Sequence, residues 1–417
     1  MHAIEIAAAL LFAVALVHTF AARQLVRLGR RFPRHEGLFH LLGEVEVVFG
    51  FWSAVLVLAF ASLANWQEAV SYLEGRQYTE PLFVFVIMVI AASHPVLATL
   101  RTVIGASARA LPLPRAVAMA WLCLALVPLL GSLVTEPAAM TIAALLLGPL
   151  VFRPGMREWV KYFSLGVLFV NVSIGGTLTS YAAPPVLMVA GTWKWDSLFM
   201  VQTFGWKAAL AVVVNASLAC ALLWQPLRQE PPPVQGDGGP RVPLTVRLVH
   251  LAFLAAVVLA AHHQVVFFGL FLFFLGFTTA YAEYQRPLLI KEALLVAFFL
   301  AGLVVLGGLQ QWWLQPLVSG MDSHALFFGA LGLTAITDNA ALTYLGSLIE
   351  GLSEASRYAL VAGAVAGGGL TVIANAPNPA GVALLRGGFA DGSIGAGGLL
   401  LGALLPTAVA AAAFLLL

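Results

Sequence analysis

The chain alternates between long apolar runs and short polar stretches, and the length of the runs sets the prediction. A helix that crosses a bilayer needs about 20 apolar residues, because backbone groups left unpaired in hydrocarbon are too costly for other open structures. Runs of that kind predict helices near 3–22, 44–64, 82–104 and 204–224, and again near 248–262, 265–282, 292–310 and 394–416. Each half also contains two interrupted segments ahead of its last helix: 116–152 and 161–194, then 323–351 and 357–386. Between the halves lies a linker, 225–247. Its Pro- and Gly-rich part, QPLRQEPPPVQGDGGPRVP, predicts an extended connector without a packed core.

Charges between the runs orient them, since short cytoplasmic loops are enriched in Lys and Arg. Arg23, Arg27, Arg30, Arg31 and Arg34 put the first loop in the cytoplasm and the N-terminus outside, while Glu68, Glu74 and Glu80 against Arg76 suit the outer face. Arg101, Arg109 and Arg115 return the chain to the cytoplasm, where Arg153, Arg157 and Lys161 also lie. Segment 116–152 must therefore enter and leave on one side, as a hairpin. Carrying the count onward places the linker and the turn at 283–291 inside and the loop at Trp312 outside, and makes 323–351 a second hairpin entering from outside. Each half then holds five crossings and one hairpin, so 248–417 is inverted relative to 1–224 and both termini lie outside. The expected fold is an all-α polytopic membrane protein of two inverted-topology repeats. Each repeat has about five transmembrane helices, one re-entrant or helical hairpin and one discontinuous helix.

Composition narrows the class. Of 417 residues, 61% are hydrophobic and 10% charged, against roughly 25% charged in an ordinary soluble domain; a water-soluble fold is excluded. A formal charge of +2 from 21 basic and 19 acidic residues lacks the clustered Lys and Arg of a nucleic-acid surface. The partner is the lipid bilayer. Cys123 and Cys220 lie far apart in apolar runs and read as small core residues, with no support for a metal site or disulfide framework. The run 3–22 lacks a basic n-region and a cleavage site, so it is expected to persist as a mature transmembrane helix.

The halves resemble each other at their interruptions. TEPAAMT at 135–141 matches TDNAALT at 337–343, and GGTLTSYAAPP at 175–185 matches GGGLTVIANAPNP at 367–379 once two inserted Asn residues are allowed. Inverted repeats with broken helices point to a transporter site near the bilayer midplane, where backbone freed from helical bonding lines a cavity. Pro removes a donor and Gly lowers helix propensity, so unwinding is expected there on local grounds. Kinks that serve packing alone are the plainer explanation. Duplicated position and polar content favour a site in which carbonyls and Thr, Ser and Asn oxygens bind a small hard cation.

Ionisable groups sharpen this reading. A carboxylate at membrane depth costs about 2.5 to 3.5 kcal/mol and so marks an ion path or proton relay. Asp338, with Asn339 beside it, is the first candidate for a carboxylate that binds a cation or proton; Glu136 holds the equivalent position in the first half. Thr337 and Thr135 precede them, either as ligands or as caps of the following helix. His94, next to Pro95, is a candidate proton relay, against the plainer reading of a hydrogen-bonded histidine at a kink. Glu46 is another, deeper than its neighbour Glu44, with solvation at the cytoplasmic face or pairing to the Arg-rich loop as the plainer reading. No Lys or Arg falls within 116–152, 163–192, 323–351 or 358–385, which favours a cation over an anion as substrate. A carboxylate occupied by either ion gives antiport through mutually exclusive binding. Without HExxH, paired-Cys or GxSxG signatures, a cofactor-free secondary transporter is expected and not an enzyme. The alternative is Na+- or H+-coupled transport of an organic anion or oxyanion.

These residues carry a family resemblance. LTAITDNAALTYLGSL (333–348), VNVSIGGTLTSYAAPPVLM (170–188) and GGGLTVIANAPNPAG (367–381) resemble the putative Na+/H+ antiporter family within the ion transporter superfamily, which also includes arsenite, citrate and dicarboxylate carriers. The likeness extends over most of the chain. It implies Na+/H+ exchange in the bacterial inner membrane, a cation bound at the hairpin and helix tips, and a homodimer whose transport domain moves against a scaffold. Matched position by position, Asp338, Asn339, Asn375 and Asn378 take the second-repeat site, with Asp338, Asn375 and Asn378 as Na+ ligands. Thr177, Thr179 and Ser180 take the first-repeat site. One departure stands out: Glu136-Pro137 occupies the place where related carriers often carry an Asn-containing tip.

Overall fold

A computed structural model describes residues 2–29, 31–228, 241–390 and 392–417. The middle of the expected linker, 229–240, lies outside the described residues, as does Arg30. Among the described residues the chain is helical, without strands. Five helices among the described residues are long and apolar enough to cross a membrane: His2–Thr19, Glu158–Leu178, Ser197–Leu227, Ile290–Gly307 and Ala396–Leu416. Two bent pairs raise that count to seven if each is one span. Shorter apolar helices fill the remaining expected positions, among them Leu244–Leu259 and Gln264–Ala280.

The interruptions fall where Pro and Gly were read. Glu158–Gly175 passes through a 3-10 turn at Gly176–Leu178 into extended backbone and restarts as Pro184–Trp193. Glu354–Gly367 is likewise separated from Asn378–Leu385 by a non-helical stretch. Prolines sit in the first turn of both restarting helices, where a missing N–H breaks no helical bond. Within 116–152, Leu126–Val134 gives way to Glu136–Leu147 at Thr135. Within 323–351, Ser323–Thr334 and Asn339–Ser347 are joined over 335–338.

Two expected helices are corrected, 82–104 and 204–224, and the first arm of 116–152 carries a bend of its own. The run 82–104 is not one helix: Thr79–Ala91 and His94–Ala110 meet at 64°. Ser93 is extended there and Pro95 follows in the first turn, so the earlier helix cannot continue through the proline. The first hairpin arm bends by 42° between Arg115–Leu124 and Leu126–Val134. Pro128 has no N–H to give the Leu124 carbonyl four residues back, and the Asn171 amide donates to that carbonyl instead, at 2.8 Å. Lastly, the helix expected at 204–224 starts at Ser197 and runs through a π-helical turn, Val201–Gly205.

Packing is reciprocal between the halves. Pro184–Trp193 lies against Asn339–Ser347, and Asn378–Leu385 lies against Glu136–Leu147; the restarting piece of each broken helix docks on the second arm of the other half's hairpin. Val45–Leu63 packs on Ile290–Gly307 across the same divide. Two large apolar clusters result, one around Phe169 and Phe204 and the other around Phe83, Phe267 and Phe299. Ala138 belongs to the second cluster and Ala139 to the first, so the start of Glu136–Leu147 sits on the seam between them.

Close backbone approach locks Glu158–Gly175 to the last helix. A Cβ on Gly166 would run into the Gly402 backbone, and one on Gly402 into the Tyr162 backbone. This small-residue crossing gives van der Waals contact that lipid cannot supply. Gly402→Val is expected to cost about 2 kcal/mol or more through overpacking and to lose the monodisperse peak in detergent gel filtration. Gly397→Val, on the same helix with open space around its Cβ, is expected to keep it.

Candidate cation site where the two breaks meet

Glu136 opens the second arm of the first hairpin and is completely buried. Its Oε2 accepts a 2.8 Å hydrogen bond from the Asn375 amide, which comes from the unwound stretch of the other half. The close approach of hairpin tip and broken helix depends on Gly176, where a Cβ would lie 2.5 Å from Glu136 Oε1. Asn375 is 1% exposed and Pro377 and Pro379 follow it, so the segment that presents its amide cannot be drawn into a regular helix.

The second hairpin tip lies alongside. Asn339, fully buried, donates its backbone N–H to the Ala374 carbonyl at 3.1 Å and its amide to Ser173 Oγ at 3.4 Å. Asn378 donates its amide to the carbonyls of Gly368 and Thr371, pinning the unwound turn. Asp338 is half-buried and serves as N-cap of Asn339–Ser347, its Oδ1 accepting from the N–H groups of Ala340 and Ala341 at 2.8 and 3.2 Å. Its charge is within electrostatic range of Glu136. Thr337 lies in the turn before that cap.

What distinguishes this cluster is its unsatisfied oxygens. Glu136 Oε1, Asn375 Oδ1, Asn339 Oδ1 and Asn378 Oδ1 are all buried without a hydrogen-bond donor among the described residues. Buried polar atoms in proteins are nearly always paired, so several orphans in one neighbourhood call for a partner. Oxygen-rich surroundings suit a hard cation. Among the described residues, the buried Lys161 donates to the Gly388 carbonyl and the half-buried Lys207 to the Tyr358 hydroxyl.

The first-half hydroxyls are committed differently. Thr177 Oγ1 donates to the Ile174 carbonyl, and Thr179 Oγ1 to the Ser132 carbonyl, each at 2.7 Å. Ser180 meets Ser197 and lines a cavity of about 530 Å³ with Glu80 and His262. None of the three hydroxyls bonds to Glu136. His94 is buried at the 64° bend, its Nδ1 3.0 Å from the Tyr284 carbonyl. The side chain of Glu46 lies outside the described residues.

Two serines escaped the sequence reading. Ser132 Oγ donates to the Gly175 carbonyl and accepts from the Leu178 N–H, so it splices the first hairpin to the first break. Ser173 Oγ donates to the Val365 carbonyl and receives the Asn339 amide, joining the halves. The available signal was a lone hydroxyl in an apolar helix within one turn of a break. Thr135, which the sequence left open as ligand or cap, makes no capping bond; it sits at φ +82°, and its buried Oγ1 has no partner among the described residues.

Two stability predictions follow from these bonds. Ser132→Ala strands a buried carbonyl and N–H and is expected to destabilise by about 1–3 kcal/mol, read as a lower melting temperature in detergent. Thr135→Gly relieves a β-branched residue of left-handed backbone and is expected to stabilise by about 1 kcal/mol, raising that temperature.

No curated protein matches the sequence. A family model described as "Putative Na+/H+ antiporter" matches residues 3–417, nearly the whole chain, hairpins and breaks included. The chain belongs to this putative Na+/H+ antiporter family.

Proposed function

We propose that this protein is a secondary transporter that exchanges Na+ for H+ by alternating access, and that Glu136 is the carboxylate the two ions share. The observation that carries this reading is a fully buried carboxyl held by Asn375, next to the undonated oxygens of Asn375, Asn339 and Asn378. A bare carboxylate in such a place is expensive, whereas a protonated or cation-paired one is not. Each ion therefore excludes the other, and release of one is favoured by arrival of the next. Asp338 contributes a second negative charge nearby; two bare carboxylates repel, which favours keeping one counter-charge in the site at all times. An organic anion would find no basic side chain among these residues.

In this reading 1–224 and 248–417 are repeats of opposite topology, and each hairpin grips the other repeat's broken helix. That arrangement offers two related packings of one set of contacts, open to opposite faces. The charge pattern of the loops supports an inner-membrane protein with both termini outside, and the family resemblance supports a homodimer.

Proteoliposomes with an imposed pH gradient test the reading. Na+ added without any anionic substrate is expected to dissipate the gradient in the wild type. Glu136→Gln is expected to reduce this to background. Asp338→Asn keeps the helix cap, since Asn caps as well as Asp, yet is expected to lower the rate roughly tenfold or more. Wild-type exchange in Glu136→Gln would remove Glu136 from the mechanism.

A further inference from the structure

A cavity of about 330 Å³ opens beside the cation cluster and is separate from the one lined by Ser180 and Glu80. Its charged lining residues are Glu44 and Glu292; its inner wall is made of Thr135, Pro137, Ala376 and Pro377. Thr135 and Ala376 are the chain neighbours of Glu136 and Asn375, so this wall is one residue from the buried pair. Glu44 is the N-cap residue of Val45–Leu63 and Glu292 lies in the first turn of Ile290–Gly307. Each carboxylate is thus at a helix N-terminus at the cavity's rim. Lys291 approaches Glu44 at 3.7 Å but is itself 73% exposed, so the rim keeps a negative balance.

The second observation is Thr135. It is 3% exposed and lines the cavity, and its Oγ1 has no hydrogen-bond partner among the described residues. Its left-handed backbone costs energy with no capping bond in return, which singles the residue out as held for its side chain. The residue thus belongs both to the lining of the acidic cavity and to the turn that presents the buried Glu136. A cation that loses water stepwise needs an oxygen of this kind.

We propose that the cavity is the access mouth for the alkali cation on this face of the protein, with Glu44 and Glu292 concentrating the ion and the Thr135 hydroxyl receiving it ahead of Glu136. This rests on the exchange reading above and adds its route. Negatively lined clefts raise the local concentration of a cationic substrate by roughly ten- to a thousandfold at low ionic strength. The rim carboxylates act on capture, not on the occupied site. Their loss therefore moves the half-saturating Na+ concentration and leaves the maximal rate alone. The face is cytoplasmic by the charge pattern of the loops, so the effect belongs to Na+ supplied from that side.

The test uses the full-length protein in oriented proteoliposomes, with Na+ supplied to one face at a time. The double variant Glu44→Gln/Glu292→Gln is expected to raise half-saturating Na+ about tenfold on the Glu44 face, with unchanged maximal rate and no change on the other face. The difference is expected to shrink when ionic strength is raised with a bulky, non-transported salt. Glu44→Asp/Glu292→Asp is expected to stay near wild type, which separates charge from folding. Thr135→Ala is expected to raise half-saturation on the Glu44 face, and Thr135→Ser to restore it. Unchanged half-saturation in the double Gln variant, or an equal change on both faces, overturns the proposal while leaving exchange intact. A wild type without Na+-driven proton movement overturns the exchange reading and this route with it, and the two failures are told apart by that control.

Discussion

The hydrogen bond between Glu136 and Asn375 is the constraint on which the rest of the centre depends. It joins a hairpin tip from one half to an unwound segment of the other at 2.8 Å, with both side chains buried. For the two to meet, the first broken helix must pass close by, and Gly176 lets it. Asn375 must lie on non-helical backbone, which the prolines after it secure. The first hairpin arm must end at Thr135 in a conformation that threonine adopts at a cost. Three local departures from regular structure are thus tied to one polar contact, and each would be a defect without it.

The two halves are similar in construction and different in chemistry. Thr179 and Thr371 hold matching places in the repeated segment, and each donates to a carbonyl of its own half's hairpin, Ser132 and Ala335 respectively. That is the common framework. The differences are the inserted Asn375 and Asn378, which have no counterpart in the first half. One reaches Glu136, and the other ties the unwound turn to Gly368 and Thr371. The hairpin tips differ as well: Asp338 caps its helix, whereas Glu136 sits inside the first turn with its carboxyl turned to the partner half. One acidic centre fed by both halves fits these facts better than two equivalent ones.

Much of this could be read from the chain. Apolar run length located the helices, and Pro and Gly within polar segments located the breaks, because lipid leaves the backbone few other conformations. A kink at His94–Pro95 could be read from the proline, but not the 64° break into two helices, because one proline in a hydrophobic run leaves its average hydrophobicity almost unchanged. The ranking of the two acids could not be read either. Asp338 and Glu136 are equivalent in pattern, and only the packing shows that Glu136 is fully buried while Asp338 is half-buried and used as a cap. The roles of Ser132 and Ser173 were hidden for the same reason, since a hydroxyl's partner in a membrane helix is set by what crosses beside it. The hydroxyls of Thr177, Thr179 and Ser180 meet the Ile174 carbonyl, the Ser132 carbonyl and the Ser197 hydroxyl, partners that only the packing reveals.

If one carboxyl is passed between proton and cation, its protonation must change when Na+ binds. Infrared difference spectroscopy on the purified protein reports this directly, through the carbonyl stretch of a buried protonated carboxylic acid. Addition of Na+ at a pH where exchange begins is expected to remove that band in the wild type, with the matching carboxylate band appearing, and to leave Glu136→Gln without either change. A wild-type spectrum that does not respond to Na+, or a response that survives in Glu136→Gln, would contradict the account.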